Sequence, residues 1–140
     1  MEAAQIFSLM NLLILPGWLL LLLAPRWQWT HRLVMTGLYS AMYALVYVGL
    51  LAMALPEARL DFGSLESVAS LLQQPWMLLA AWAHFLAFDL FVAAWILKDS
   101  QALGRRHLWM LPILCLTFYL GPLGYVLYMG SKLLRRDSIG

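Results

Sequence analysis

Asp89 and His84 are the ionisable side chains set inside a long apolar run, Pro75 to Leu97, and they are the first place to look for chemistry. Every other Asp, Glu, Lys and Arg lies in the ends of the chain or in the connections between runs. An acid at a helix centre in hydrocarbon costs roughly 2.5–3.5 kcal/mol, so one kept there faces a partner, a cavity or a substrate rather than lipid. At about 100° per residue the two side chains point roughly 140° apart, so they do not form a tight pair on one helix. They address different neighbours or two sides of one ligand. His84 shares a face with Phe88, Phe91 and Trp95, and Asp89 shares one with Trp82, Phe85 and Ile96. A carboxylic acid held protonated can donate a proton and a neutral imidazole can accept one, which meets the minimal requirement for acid–base catalysis on an apolar substrate. The alternative is a structural lock, with both groups bonded to Asn11, a tyrosine hydroxyl or a backbone carbonyl.

Other polar groups widen the set. Asn11 lies mid-run, where an amide needs a partner, and Pro16-Gly17 beyond it can open the backbone. It is a candidate partner for Asp89 and a candidate ligand contact. Tyr39, Tyr43 and Tyr47 recur every four residues, hence on one slowly drifting face. They form either a stripe packed on another helix or a ring of hydroxyls along a polyene or quinone groove, with Tyr43 as the contact in the second case. Trp82 and Trp95 are candidate walls beside Asp89 and His84. Asp99, Arg106 and His107 cluster with Arg105 in one connection, where they suit a head-group contact, a gate or a solvated turn. No metal site is expected, because His31, His84 and His107 lie at different depths and no paired-histidine spacing occurs. Cys115 is the single cysteine, so neither an internal disulfide nor a cysteine zinc site can form within one chain. Haem on His84 would need a second ligand from another helix or chain, and no cofactor is expected.

The elements that must position these groups follow from composition. With 64% hydrophobic and 11% charged residues, a 140-residue chain cannot hide its apolar surface inside a soluble domain. Four runs, 5–24, 33–55, 75–97 and 108–131, are apolar on every face and long enough to cross a hydrocarbon core of about 30 Å as helices. The expectation is an all-α integral membrane bundle of four transmembrane helices forming a single domain, 1–140. The first run follows Glu2 rather than a basic segment and is expected to be retained. The long second connection offers Ser64 to Leu72 as a short amphipathic helix at the interface, against a plain exposed loop. Four spans with both ends outside would put Arg26, Arg32, Lys98, Arg105 and Arg106 on one side and Arg59, Lys132, Arg135 and Arg136 on the other, an indecisive balance. A bend or re-entry at Pro112 and Gly121-Pro122-Leu-Gly124 would instead return the basic tail; the four-span arrangement is the one expected. A net charge of +2, spread over membrane flanks, gives no ground for nucleic-acid binding. Gly37, Ser40, Gly121, Gly124 and Gly130 would permit the close helix contacts of a homo-oligomer.

Several motifs in register resemble the abscisic-acid-deficient-four-like membrane proteins, whose plant members are associated with neoxanthin synthesis. They are Ala81-Trp82-Ala-His84 with Asp89-Leu-Phe91 beyond it, then Asp99, Arg106-His107 and Gly121-Pro122-Leu-Gly124. Asn11-Leu-Leu-Ile-Leu-Pro16-Gly-Trp18, followed by Pro25-Arg-Trp27, looks like bacterial members. The resemblance implies a membrane protein, in a bacterial inner membrane, whose ligand is a carotenoid or another isoprenoid. It implies an isomerase in which the epoxide of violaxanthin opens and a proton is lost to give an allene. Carried onto this chain, Asp89 would protonate the epoxide oxygen and His84 would be the base. The chain departs from plant members at Ala93-Ala-Trp95-Ile, where they are more polar, and this weakens transfer of the substrate. The competing readings are a non-catalytic carotenoid or lipid binder that assists a partner enzyme, and a small transporter or redox subunit.

Overall fold

The computed structural model describes residues 2–135, and among them every regular element is helical. Helix α1 runs Ala3–Leu23 and begins at a reciprocal cap: the Glu2 backbone N–H donates to the Gln5 side chain at 3.0 Å, and the Glu2 carboxylate accepts from the Gln5 backbone. It ends before Pro25, and the Thr30 hydroxyl donates to the Ala24 carbonyl at 2.6 Å, folding the chain into a π-helical turn, Thr30–Met35. Gly37, at φ 81°, supplies the left-handed residue that opens α2, Leu38–Ala54. Ser64 caps α3, Leu65–Leu72, by accepting from the Ser67 N–H at 3.1 Å, so the long second connection does contain the short helix. Pro75 occupies the first turn of α4, Pro75–Ala102, where its missing N–H costs nothing. Helices α5, His107–Leu120, and α6, Pro122–Leu134, complete the chain.

Helix α4 lies at the centre and packs against every other helix that bounds the core. Ala80, Ala83, Ala87, Ala93 and Ala94 are buried along it, and such small side chains let neighbouring backbones come close, which is how helices associate where lipid supplies no hydrophobic drive. Gly17 on α1 serves the same end: a Cβ there would meet Leu90 at 3.1 Å and the Tyr39 ring at 3.2 Å. The Tyr43 hydroxyl, buried, donates to the Met10 carbonyl at 2.6 Å, and Tyr39 donates to the Leu13 carbonyl. Tyr39 and Tyr43 therefore tie α2 to α1, whereas Tyr47, the third tyrosine of the stripe, packs on His84 of α4. Outward faces remain apolar, with Leu45 72% and Leu108 69% exposed. Helices α1 and α4 are long and apolar enough to cross a membrane, and α2 and α5 are shorter apolar helices.

The predicted fourth span, 108–131, is not one helix. At Gly121 (φ 30°, ψ −87°) the chain reverses, and Pro122 starts α6 because it cannot continue α5. Contacts along α4 fix the direction. Asp89 abuts Gly121, Trp95 packs on Tyr125 and Tyr128, and Lys132 reaches Asp99, so α6 runs parallel to α4 back toward the end where α5 began. His107, at the start of α5, bonds the Leu22 carbonyl at 2.8 Å, and Gln101 donates to the Pro25 carbonyl at 3.0 Å. The ends of α1, α4 and α6 and the start of α5 thus share one end of the molecule. Arg26, Arg32, Lys98, Arg105, Arg106, Lys132 and Arg135 belong to that end, whereas Arg59 lies at the other with Glu2, Glu57, Asp61 and Glu66. Arg136 lies outside the described residues. The expected placement of Lys132 and Arg135 opposite Arg26 and Arg105 is corrected by the hairpin, whose turn hydropathy alone does not register.

Candidate functional site

The turn at Gly121 stops roughly halfway along α4, and beyond it α1 and α4 face a cavity of about 1000 Å³. Asn11, Ile14 and Leu15 of α1 form one wall, and α4 from Trp82 to Val92 forms another. Phe118 to Pro122 and Tyr125 form the floor at the hairpin tip. The cavity is open sideways: Phe85 and Phe88 are each 55% exposed and Tyr119 is 79% exposed.

Asp89 and His84 both line this cavity in spite of their angular separation. Phe85 and Phe88 occupy the helical arc between them, so the mouth wraps around the exposed face of α4 and presents the acid at one edge and the imidazole at the other. Among the described residues neither side chain has a hydrogen-bond partner. His84 is held by rings instead, with Phe88 at 4.8 Å, Tyr47 at 5.8 Å and Phe85 at 6.0 Å between centroids. The Asp89 carboxylate lies against the Gly121 backbone, where a Cβ would collide with it. Gly121 is required twice over, for its positive φ and for this contact.

The remaining residues of interest divide into two groups. Asn11 lines the cavity but accepts from the Trp82 indole N–H at 2.9 Å, so its partner is Trp82 and not Asp89. Tyr43 is buried between helices and contributes nothing to the wall. Trp95 packs against Tyr125 and Tyr128 with the Lys132 ammonium 5.8 Å from its ring, just beyond the floor. Asp99, Arg106 and His107 stand at the basic end, away from the cavity. There Asp99 accepts from Lys132 Nζ at 2.8 Å and from the Tyr128 hydroxyl, and Arg105 donates to Ser131 Oγ at 2.6 Å. This cluster ties α6 to α4 and α5. Among the described residues no group of three or more His, Cys, Asp or Glu side chains could hold a metal.

Gly121, Tyr119, Tyr125 and Leu15 are wall residues that single-residue reasoning did not select. The signal was available in the Gly121-Pro122 step, since irregular backbone at membrane depth is tolerated only where protein buries it or where it lines a cavity.

The described residues thus form an all-helical body with an apolar exterior and a laterally open cavity that carries one acid and one imidazole on its wall. The chain belongs to the ABA DEFICIENT 4-like family, whose model matches residues 5–128 and so takes in the whole cavity wall. No curated protein and no solved structure matches it.

Proposed function

We propose that the chain is an integral membrane protein that takes an oxygenated isoprenoid of the carotenoid type into the cavity and isomerises it between Asp89 and His84. Three helices, α1, α2 and α4, cross the bilayer, and the α5–α6 hairpin enters from the basic face and returns to it. The positive-inside rule then puts the basic end in the cytoplasm of a bacterial inner membrane. The carrying observation is the pair of side chains, Asp89 and His84, that have no hydrogen-bond partner among the described residues and stand on the wall of a cavity that, apart from Asn11, is lined by aromatic and aliphatic groups. A half-buried acid at membrane depth with no hydrogen-bond partner among the described residues is expensive, and a ligand oxygen in the cavity would offset that expense.

The step conserves atoms and electrons. The Asp89 carboxyl gives its proton to the epoxide oxygen as a carbon–oxygen bond breaks and a hydroxyl forms. His84 takes a proton from carbon, and that carbon–hydrogen pair becomes the new double bond of the allene. The proton on His84 then returns to Asp89, and no oxidant or reductant is consumed. Acid–base assistance of this kind is worth about 10²–10⁴-fold in rate.

Purified wild type, Asp89→Asn and His84→Ala proteins incubated with an epoxycarotenoid, with products separated by chromatography, test this. Loss of conversion in both variants is expected, and undiminished conversion in both removes the pair. Retention of pigment by wild type without turnover assigns the cavity to a binding protein that assists a partner enzyme.

A further inference from the structure

The hairpin makes the two halves of the molecule unequal. On the basic side of Asp89, the space between α1 and α4 is filled: Phe118 packs edge-on to Trp18 at 5.0 Å, Tyr125 and Tyr128 pack on Trp95 at 5.9 and 5.8 Å, and Lys132 pairs with Asp99. On the acidic side nothing replaces the hairpin, and the opening is bounded by Asn11, Leu15, Trp82 and Phe85. Among the described residues no Lys or Arg lines the cavity, and the one charged-type side chain on its wall other than His84 is the Asp89 carboxyl.

We infer that the cavity is loaded from one leaflet only, the one that meets the acidic end, and by a molecule whose leading oxygen is uncharged. The inference rests on the ligand reading given above. A hydroxyl, epoxide or carbonyl can travel to mid-depth and meet Asp89. A phosphate is excluded by the carboxylate, the absence of a cation on the wall and the hydrocarbon it would cross. Entry from the basic leaflet is closed by α5 and α6, which fill that half of the gap.

The test uses full-length protein in right-side-out and inside-out vesicles, with orientation scored by impermeant protease at the C-terminal tail. The probe is a geranylgeranyl chain with a hydroxyl and a diazirine at its free end, tethered at its other end to a polyethylene glycol that cannot cross the bilayer. A second probe carries a phosphate in place of the hydroxyl. Photolabelling is expected when the hydroxyl probe is added to the acidic face, with loss to background from the basic face and with the phosphate probe. Leu15→Trp, which fills the mouth, abolishes labelling, whereas Val126→Trp, on the exposed face of α6, leaves it unchanged. Equal labelling from both faces, or preference for the basic one, overturns one-sided loading, and phosphate labelling as strong as hydroxyl labelling overturns the uncharged class. No labelling from either face by correctly folded protein removes the ligand reading, and this inference with it.

Discussion

Helix α4 carries two acids ten residues apart, and the structure treats them oppositely. Asp99 is answered by a lysine, 1% exposed, and by the Tyr128 hydroxyl, within a cluster that also ties Arg105 to Ser131 and His107 to Leu22. Asp89 is answered by no hydrogen-bonding group among the described residues and abuts a glycine on a cavity wall. The same side chain on the same helix is therefore a fastening in one place and an unmet demand in the other. Burial alone does not separate these roles. The presence of a partner does.

That contrast can be broken most forcefully at the fastened end. Asp99→Ala leaves the Lys132 ammonium buried without its counter-ion and should cost about 3–5 kcal/mol, read as a lower unfolding midpoint in detergent. Unchanged stability would mean the cluster does not hold the hairpin. At the other acid the sign reverses: Asp89→Leu, of nearly the same shape, should stabilise the protein by up to about 2.5 kcal/mol while abolishing conversion of an epoxycarotenoid. If that substitution destabilises the protein instead, the carboxyl is structural. Tyr43→Phe removes the bond to the Met10 carbonyl, so it should cost about 0.5–1.5 kcal/mol and leave pigment retention as in wild type. Reduced retention would bring Tyr43 back to the ligand.

The smallest effect lies in the loop before α3. The Gly63 N–H and the Ser67 hydroxyl, each 2.8 Å from Asp61, hold its carboxyl below the usual carboxylate range. A group whose value is lowered by folding stabilises the folded form above its unfolded value and ceases to do so as pH falls through the folded one. The protection factor of the Gly63 amide, its exchange rate relative to the intrinsic rate at each pH, should therefore hold at neutral pH and fall only in strong acid. A protection factor lost near neutrality would count against the Asp61 cap.

Much of this molecule could be read from one dimension. Uninterrupted apolar runs fix where helices form, and Asp89 and His84 stand out because ionisable groups inside such runs are rare. Trp82 also lies on the wall because it shares a face with Asp89. Lateral pairing is a different matter. That Asn11 meets Trp82, that Tyr43 is buried against Met10, and that Lys132 is drawn inside by Asp99 depend on which helices become neighbours. The Gly121-Pro122 break made a re-entry legible as the alternative, but residues 108–131 stay apolar through the turn, and mean hydropathy, which carries no sense of direction, favours a straight span.

The reversal also bears on a matter of parity. A chain that crosses an even number of times leaves its termini in one compartment, whereas three crossings and a returning hairpin leave them in two. Reporter domains fused separately to the amino and carboxyl termini should give opposite signals, with the enzyme that needs an oxidising compartment active only at the amino terminus.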